Sequence, residues 1–103
     1  MDSQPKDYLC LQAWMHLRYG RVTEAVVILE GLTVLIPGDA WVHRTLGYAY
    51  LQVGEFQSCL DQLNRLLAKR TPTDRLLRVR ALWGLGRRDE ARRMVKELGG
   101  RLT

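Results

Sequence analysis

Cysteine, histidine and long apolar runs are all scarce in this sequence. Its two cysteines, Cys10 and Cys59, stand far apart, without a CxxC pair or a histidine at metal-ligand spacing. Neither a disulfide framework nor a metal site is therefore predicted, and a reducing compartment is expected. The most apolar run, 25–36, is interrupted by Glu30 and Gly31 and is too short to cross a bilayer. We expect no standard export signal, no membrane insertion and a cytoplasmic location.

Residues that carry chemistry are equally sparse. His16 and His43 are the two histidines, and neither has a recognisable nucleophile and carboxylate beside it. The sequence also lacks a phosphate-binding loop and a carboxylate pair suited to magnesium. We therefore predict that the protein is not an enzyme and uses no cofactor. Both histidines and Cys59 are expected to serve packing.

The composition is that of an ordinary globular protein. The chain has 103 residues, of which 47% are hydrophobic and 26% charged, far from the composition of disordered chains. This length predicts a single domain over 1–103, with more room for a binding module than for a deep catalytic cleft.

Charge is distributed unevenly along the chain. Residues 1–69 hold six Lys/Arg against seven Asp/Glu, a net of −1, whereas residues 70–103 hold ten against four, a net of +6. Such a basic third is compatible with a solvated face, an acidic protein partner or nucleic acid. Interspersed carboxylates make nucleic acid the less favoured of these partners.

Internal repetition is the strongest pattern. Three segments, 19–25, 53–59 and 85–91, each contain a hydrophobe, a glycine, a polar residue and, five beyond the glycine, a small residue. The glycine is typical of a turn between two helices, and the small residue of a close helix crossing. The surrounding periodicity predicts helices over 6–18, 22–35, 39–53, 56–69, 74–85 and 88–98, with Gly99 and Gly100 ending the last.

A helix pair that recurs at this spacing resembles the tetratricopeptide repeat. The predicted fold is therefore all-α, with three tetratricopeptide-like helix-turn-helix repeats, about 6–37, 39–71 and 73–99, forming a short right-handed superhelix with a concave groove. The second copy fits the pattern best, and the third departs from it at Arg75 and Arg78.

The resemblance implies that the first helix of each pair lines the groove. The candidate partner-binding residues are Cys10, Trp14, Leu17, Trp41, Arg44, Tyr48, Leu51, Leu76, Arg80 and Trp83. An aromatic wall of this kind favours an apolar helical or extended segment as the partner, although the same aromatics are also compatible with a core. Paired asparagines that would clamp a peptide carboxylate are missing, which disfavours a receptor for chaperone tails.

The second helix, 22–35, is apolar around its whole circumference. Either it is fully internal, or a partner, a self-dimer formed when the chain is unbound, or the N-terminal tail covers part of it.

A narrower resemblance rests on residues 7–17, Tyr19 to Arg21, Glu24 to Ala25, 28–32 and Ile36 to Pro37. These segments are similar to the small three-repeat chaperones of bacterial type III secretion, above all the Y-type family, and less so to the G-type chaperone of the needle subunit. The resemblance implies a cytosolic protein of a Gram-negative bacterium that binds a small secreted X-type component and helps deliver it to the export gate. We expect the gate, or another acidic partner, to contact Arg87, Arg88, Arg92 and Arg93. A nucleic-acid-binding repeat module and a structural adaptor remain the alternatives.

Overall fold

The computed structural model describes residues 5–66 and 71–102, and within them the regular structure is entirely α-helical. The helices are α1 (Pro5–Arg18), α2 (Val22–Leu35), α3 (Ala40–Gln52), α4 (Phe56–Asn64), α5 (Pro72–Gly84) and α6 (Arg88–Leu102). They form an elongated molecule of 46 × 25 × 22 Å. This all-helical repeat architecture confirms the predicted fold class.

Three glycines make nearly the same turn inside the three helix pairs. Gly20, Gly54 and Gly86 have φ values of 76°, 81° and 81°, a left-handed conformation that a Cβ disfavours. After each glycine, the next backbone N–H donates to a carbonyl five residues back, namely from Arg21 to His16, from Glu55 to Tyr50 and from Arg87 to Leu82. This is the six-to-one hydrogen bond of a Schellman motif, and it turns the chain back on itself.

Each helix packs against its neighbours in the chain, and α3 also contacts α5. The small residues predicted at helix crossings, Ala25, Cys59 and Ala91, are all buried. Buried His43 of α3 forms a 2.8 Å hydrogen bond through Nδ1 with Oε1 of Gln62 in α4. The predicted packing role of His43 agrees with this position.

The interior contains two hydrophobic clusters. The first joins α1, α2 and α3 through Ala13, Ala25, Leu29, Leu32, Val42, Leu46 and Ala49. The second joins the end of α3 to α4, α5 and α6 through Leu51, Cys59, Leu60, Leu63, Leu66, Leu77, Ala81, Leu82 and Ala91. Tyr50 packs against both clusters. The third helix therefore takes part in both cores.

Three helix ends differ by more than one residue from their predicted positions. The fifth helix begins at Pro72, two residues early, because Thr71 caps it and proline suits the first helical position. The fourth ends at Asn64, so the predicted helix is wrong at 65 and 66, while its last predicted residues, 67–69, lie outside the described residues. The sixth continues through Gly99 and Gly100, so the prediction that these glycines end it is wrong.

Candidate protein-binding groove

An open, mainly apolar cavity of about 710 Å³ lies between the first helices of the three pairs. Its lining residues come from α1 (Trp14, Leu17, Arg18), α3 (Arg44, Thr45, Tyr48) and α5 (Thr73, Leu76, Leu77, Val79, Arg80). Trp14, Tyr48 and Leu76 keep 46%, 40% and 55% of their surface exposed. These large apolar side chains are therefore accessible to a partner. We call this cavity and its lining residues the groove.

Six of the ten candidate residues come together in the groove. They are Trp14, Leu17, Arg44, Tyr48, Leu76 and Arg80. The resemblance to the tetratricopeptide repeat assigns them to one wall formed by the first helix of each pair, and these six do line one cavity.

The other four candidates lie elsewhere. Leu51 is 7% exposed and belongs to the second core, so its predicted place on the groove wall is wrong. It lies near the C-terminal end of α3, where the helix packs against α4. Cys10 is partly buried against the first core, while Trp41 and Trp83 are exposed but do not line the cavity.

Sequence reasoning missed five lining residues, Arg18, Thr45, Thr73, Leu77 and Val79. Arg18 follows Trp14 by four positions, and this spacing could have placed both on one helix face. The α5 residues were harder to find, because the third repeat departs from the pattern and its helix begins earlier than predicted.

A largely buried ion pair joins two helices of the groove wall, α3 and α5. Arg44 of α3 donates from Nε and Nη2 to the two carboxylate oxygens of Asp74 in α5, the Nη2 to Oδ2 distance being 3.1 Å. Asp74 is 4% exposed, and it also accepts from the backbone N–H of Thr71 at 3.0 Å while the Thr71 hydroxyl accepts from the Asp74 N–H. Thr71 and Asp74 thus form the capping box of α5, and the ion pair with Arg44 links this capping box to α3 of the neighbouring repeat.

The pKa of Asp74 reflects this environment. Burial alone would raise it, but the hydrogen bonds from Arg44 and Thr71 outweigh burial and hold the pKa below its ordinary value. The hydrogen bond from Arg44 likewise raises the pKa of that guanidinium, against a smaller opposing effect of burial. Both groups are therefore charged near neutral pH, and Asp74 already supplies the counter-charge of Arg44.

Two arginines lie over tryptophan rings, one in the first helix pair and one in the last. The guanidinium carbon of Arg18 is 5.2 Å from the ring centre of Trp14, and that of Arg88 is 5.1 Å from the ring centre of Trp83. Both distances are within the range of a cation–π contact. The first pair lines the groove, and the second lies outside it.

The four arginines predicted to meet an acidic partner surround the start of α6. Arg87 forms a 2.7 Å ion pair with Glu90, and Arg92 lies 3.9 Å from Asp89. Arg88 stacks on Trp83, and Arg93 lines a smaller cavity together with Glu90 and Glu97. Carboxylates are thus interspersed with these cations, as the sequence indicated.

Apolar side chains are also exposed at the first helix pair. Val27, Val34 and Leu35 of α2 are exposed, as are Tyr8 and Leu11 of α1. The alternative that α2 is fully internal is therefore wrong.

Cys59, one of the residues predicted to serve packing, is buried. Burial raises the pKa of the Cys59 thiol to about 11, which keeps it protonated at a helix crossing. Residues 5–66 and 71–102 contain no group of three His, Cys, Asp or Glu side chains that could hold a metal ion. Across the same residues, no helix is both long and apolar enough to traverse a lipid bilayer.

A comparison with known families gives a match in the last helix pair. Residues 75–97 match the tetratricopeptide repeat, which is the copy that departs most from the pattern in the sequence. A comparison with curated proteins gives no match. Tetratricopeptide repeats generally mediate contacts between proteins. The match, the repeated glycine turns and the all-helical fold together support a tetratricopeptide-type protein that acts as a protein-interaction module.

Proposed function

We propose that this protein is a cytosolic chaperone of bacterial type III secretion. In this proposal it holds an apolar segment of a small secreted protein, the X-type component, in the groove and helps deliver it to the export gate. The observation that carries the proposal is the exposure of Trp14, Tyr48 and Leu76 around one open cavity. The resemblance to Y-type chaperones, which spans about residues 7–98, supports the choice of partner.

Apolar capture follows from the character of the groove. Large aromatic side chains lose little conformational entropy on binding and bury a large area, so they often dominate binding energy. A secreted segment that exposes an apolar helix face would aggregate in water, and burial of that face in the groove would prevent this. The wall has contributions from all three helix pairs, which suits an elongated segment.

The charge pattern at the start of α6 supports docking to a protein more than binding to nucleic acid. Glu90 and Asp89 already neutralise part of the charge of Arg87 and Arg92. Phosphate binding would require these cations to exchange their own carboxylates for phosphates. An acidic protein surface can instead use the remaining charges in a mixed pattern, as we propose for the export gate.

The proposal is tested by affinity purification of the tagged chain from its native cytosol. The extract is treated with nuclease and washed at about 0.3 M salt, where phosphate-driven binding falls steeply. Recovery of one small secreted protein at a fixed ratio is expected. Its identity as the X-type protein or the needle subunit decides between the two chaperone types. Recovery of nucleic acid alone, and only without nuclease and salt, contradicts the proposal.

Two tryptophan variants make the test specific to the groove. Trp14→Ala should weaken binding of the purified partner by about thirtyfold, the effect of losing a binding hot spot of about 2 kcal/mol. Trp83→Ala is the matched control, because Trp83 is similarly exposed and also carries an arginine over its ring. It should change affinity by less than about threefold. Equal loss in both variants, at unchanged helicity, would show that the groove is not the site.

The export-gate contact has its own test. Reversing Arg87, Arg88, Arg92 and Arg93 to glutamate should abolish binding of the gate's cytosolic domain while partner binding persists. Undiminished gate binding by this variant would refute the assignment of that surface.

A further inference from the structure

The groove combines an apolar floor with positive charge. Its lining includes Arg18, Arg44 and Arg80, and no aspartate or glutamate side chain is among the described residues that line it. Cations beside an apolar surface attract a ligand that presents carboxylates at the edges of its own apolar face.

One of these three arginines already has its counter-charge. Asp74 binds Arg44 through both carboxylate oxygens from a buried position behind the wall. Arg44 therefore serves mainly to join α3 to α5. The charge offered to a ligand comes from the other two arginines.

Arg18 and Arg80 stand on different walls. Arg18 belongs to α1, where it stacks on Trp14, and Arg80 belongs to α5. Both are exposed, and neither takes part in an ion pair among the residues that the structure describes. The groove thus has one cation on α1 and another on α5, and Trp14, Tyr48 and Leu76 line the same cavity.

We infer that the groove selects an acidic amphipathic helix, with large apolar side chains along one face and glutamate or aspartate on both flanks of that face. This inference rests on the proposed function, because it states the chemistry of the segment held in the same groove. A basic amphipathic helix of equal hydrophobicity is rejected, since its lysines would face Arg18 and Arg80. The charges therefore set which apolar segment binds, and the aromatics hold it.

The test uses three synthetic fluorescein-labelled peptides about six helical turns long. All three share one stripe of leucines, and their flanking positions carry glutamate, glutamine or lysine. At about 50 mM salt the glutamate peptide should bind at least about tenfold more tightly than the lysine peptide, with the glutamine peptide between them. At about 500 mM salt this difference should shrink to within about threefold, because screening weakens exposed charge pairs.

Charge variants test which arginines cause the preference for the glutamate peptide. The double variant Arg18→Glu with Arg80→Glu should reverse the preference, so that the lysine peptide binds best. A matched double variant, Arg88→Glu with Arg92→Glu, makes the same change in net charge and also removes an arginine from a tryptophan ring, but outside the groove. It should keep the preference for glutamate. If the double variant fails to fold, the single variant Arg80→Gln replaces it. This variant leaves the contact of Arg18 with the Trp14 ring intact and should reduce the preference for the glutamate peptide.

The outcomes separate this inference from the proposed function. Equal binding of the glutamate and lysine peptides, or no saturable binding of any peptide up to about 100 μM, overturns the charge selectivity. Displacement of the glutamate peptide by a single-stranded RNA, dependent on Arg18 and Arg80, also overturns it by assigning these cations to phosphate. The proposed function is judged on the native partner instead, and it fails if Trp14→Ala leaves that partner's affinity unchanged.

Discussion

Asp74 is the residue on which the groove wall depends most. It accepts hydrogen bonds from Arg44 in the neighbouring repeat and from the Thr71 N–H at the start of its own helix. Because the carboxylate is 4% exposed, removal of its charge leaves Arg44 in a partly buried place without a counter-ion. Asp74 therefore links the start of one helix to the relative position of two repeats.

We expect Asp74→Asn to lower the free energy of unfolding by about 2 to 4 kcal/mol, the cost of breaking a largely buried pair whose arginine keeps some contact with water. Urea denaturation at neutral pH measures this loss. Asp89→Asn is the control, since Asp89 is exposed and lies 3.9 Å from Arg92. It should cost less than about 1 kcal/mol. Equal effects of the two substitutions would contradict the structural role of Asp74.

The lowered pKa of Asp74 also predicts a dependence on pH. The unfolded chain, with an ordinary value near 3.8, binds the proton at a higher pH than the folded protein does. The stabilisation is therefore complete above about pH 5 and is lost as the pH falls through the folded-state pKa. Unfolding midpoints between about pH 5 and pH 3 should fall less steeply for Asp74→Asn than for the wild type. Parallel curves would contradict this account.

Some residue roles could be predicted because the repeat places them. The small residues at 25, 59 and 91 and the turn glycines at 20, 54 and 86 occupy equivalent positions, and the structure confirms their burial and their left-handed backbone. The Arg44 to Asp74 pair could not be found in this way. It joins residues 30 positions apart, in different repeats, and helical periodicity says nothing about such contacts.

At the scale of elements, the close approach of α5 to α4 depends on a glycine. A Cβ added to Gly84, the last residue of α5, would lie 2.6 Å from three ring atoms of Phe56, the first residue of α4. By contrast, a Cβ on Gly31 in the middle of α2 would meet nothing within 4 Å. Steric crowding therefore explains the glycine at 84, whereas nothing in the structure explains the glycine at 31.

Alanine at these two positions should have opposite effects. Gly84→Ala should destabilise the protein by about 1 to 3 kcal/mol, because the Phe56 ring must move out of its place. Gly31→Ala should stabilise it by about 0.5 to 1 kcal/mol through helix propensity alone. Thermal unfolding of both variants measures the difference. A stabilised Gly84→Ala variant would show that the ring yields without cost.

Helix boundaries were predictable where local chemistry decides them. The starts of α2 and α4 follow their turn glycines, as expected from the repeat. Gly99 and Gly100 illustrate the limit, because glycine ends a helix only where the next contacts require a left-handed residue and otherwise continues it at about 1 kcal/mol. The groove was also predicted best where the repeat pattern is regular. Its residues on α1 and α3 were predicted more completely than those on α5, which belongs to the irregular third repeat.

At the scale of the whole molecule, α3 is the element common to the two cores. It contributes Val42, Leu46 and Ala49 to the first core and Leu51 to the second. The outer helices α1 and α6 contribute to one core each. In a chain of stacked repeats, the ends therefore open more readily than the middle.

Amide hydrogen exchange should show this gradient. We expect the amides of α3 to exchange most slowly and those of α1 and α6 faster. Partner binding should slow exchange in α1 towards the rate of α3, because the groove joins α1, α3 and α5. Uniform protection along the unbound chain, or no change in α1 on binding, would contradict this arrangement of the cores.

The division of the interior into two cores has a consequence for the lifetime of the protein. A partner seated across the groove contacts helices from both cores, so its binding energy opposes the opening of either end. Proteases act on opened chains, and an unbound copy would be degraded sooner than an occupied one. The amount of this protein in a cell would then follow the supply of its partner, without any regulator that senses either of them.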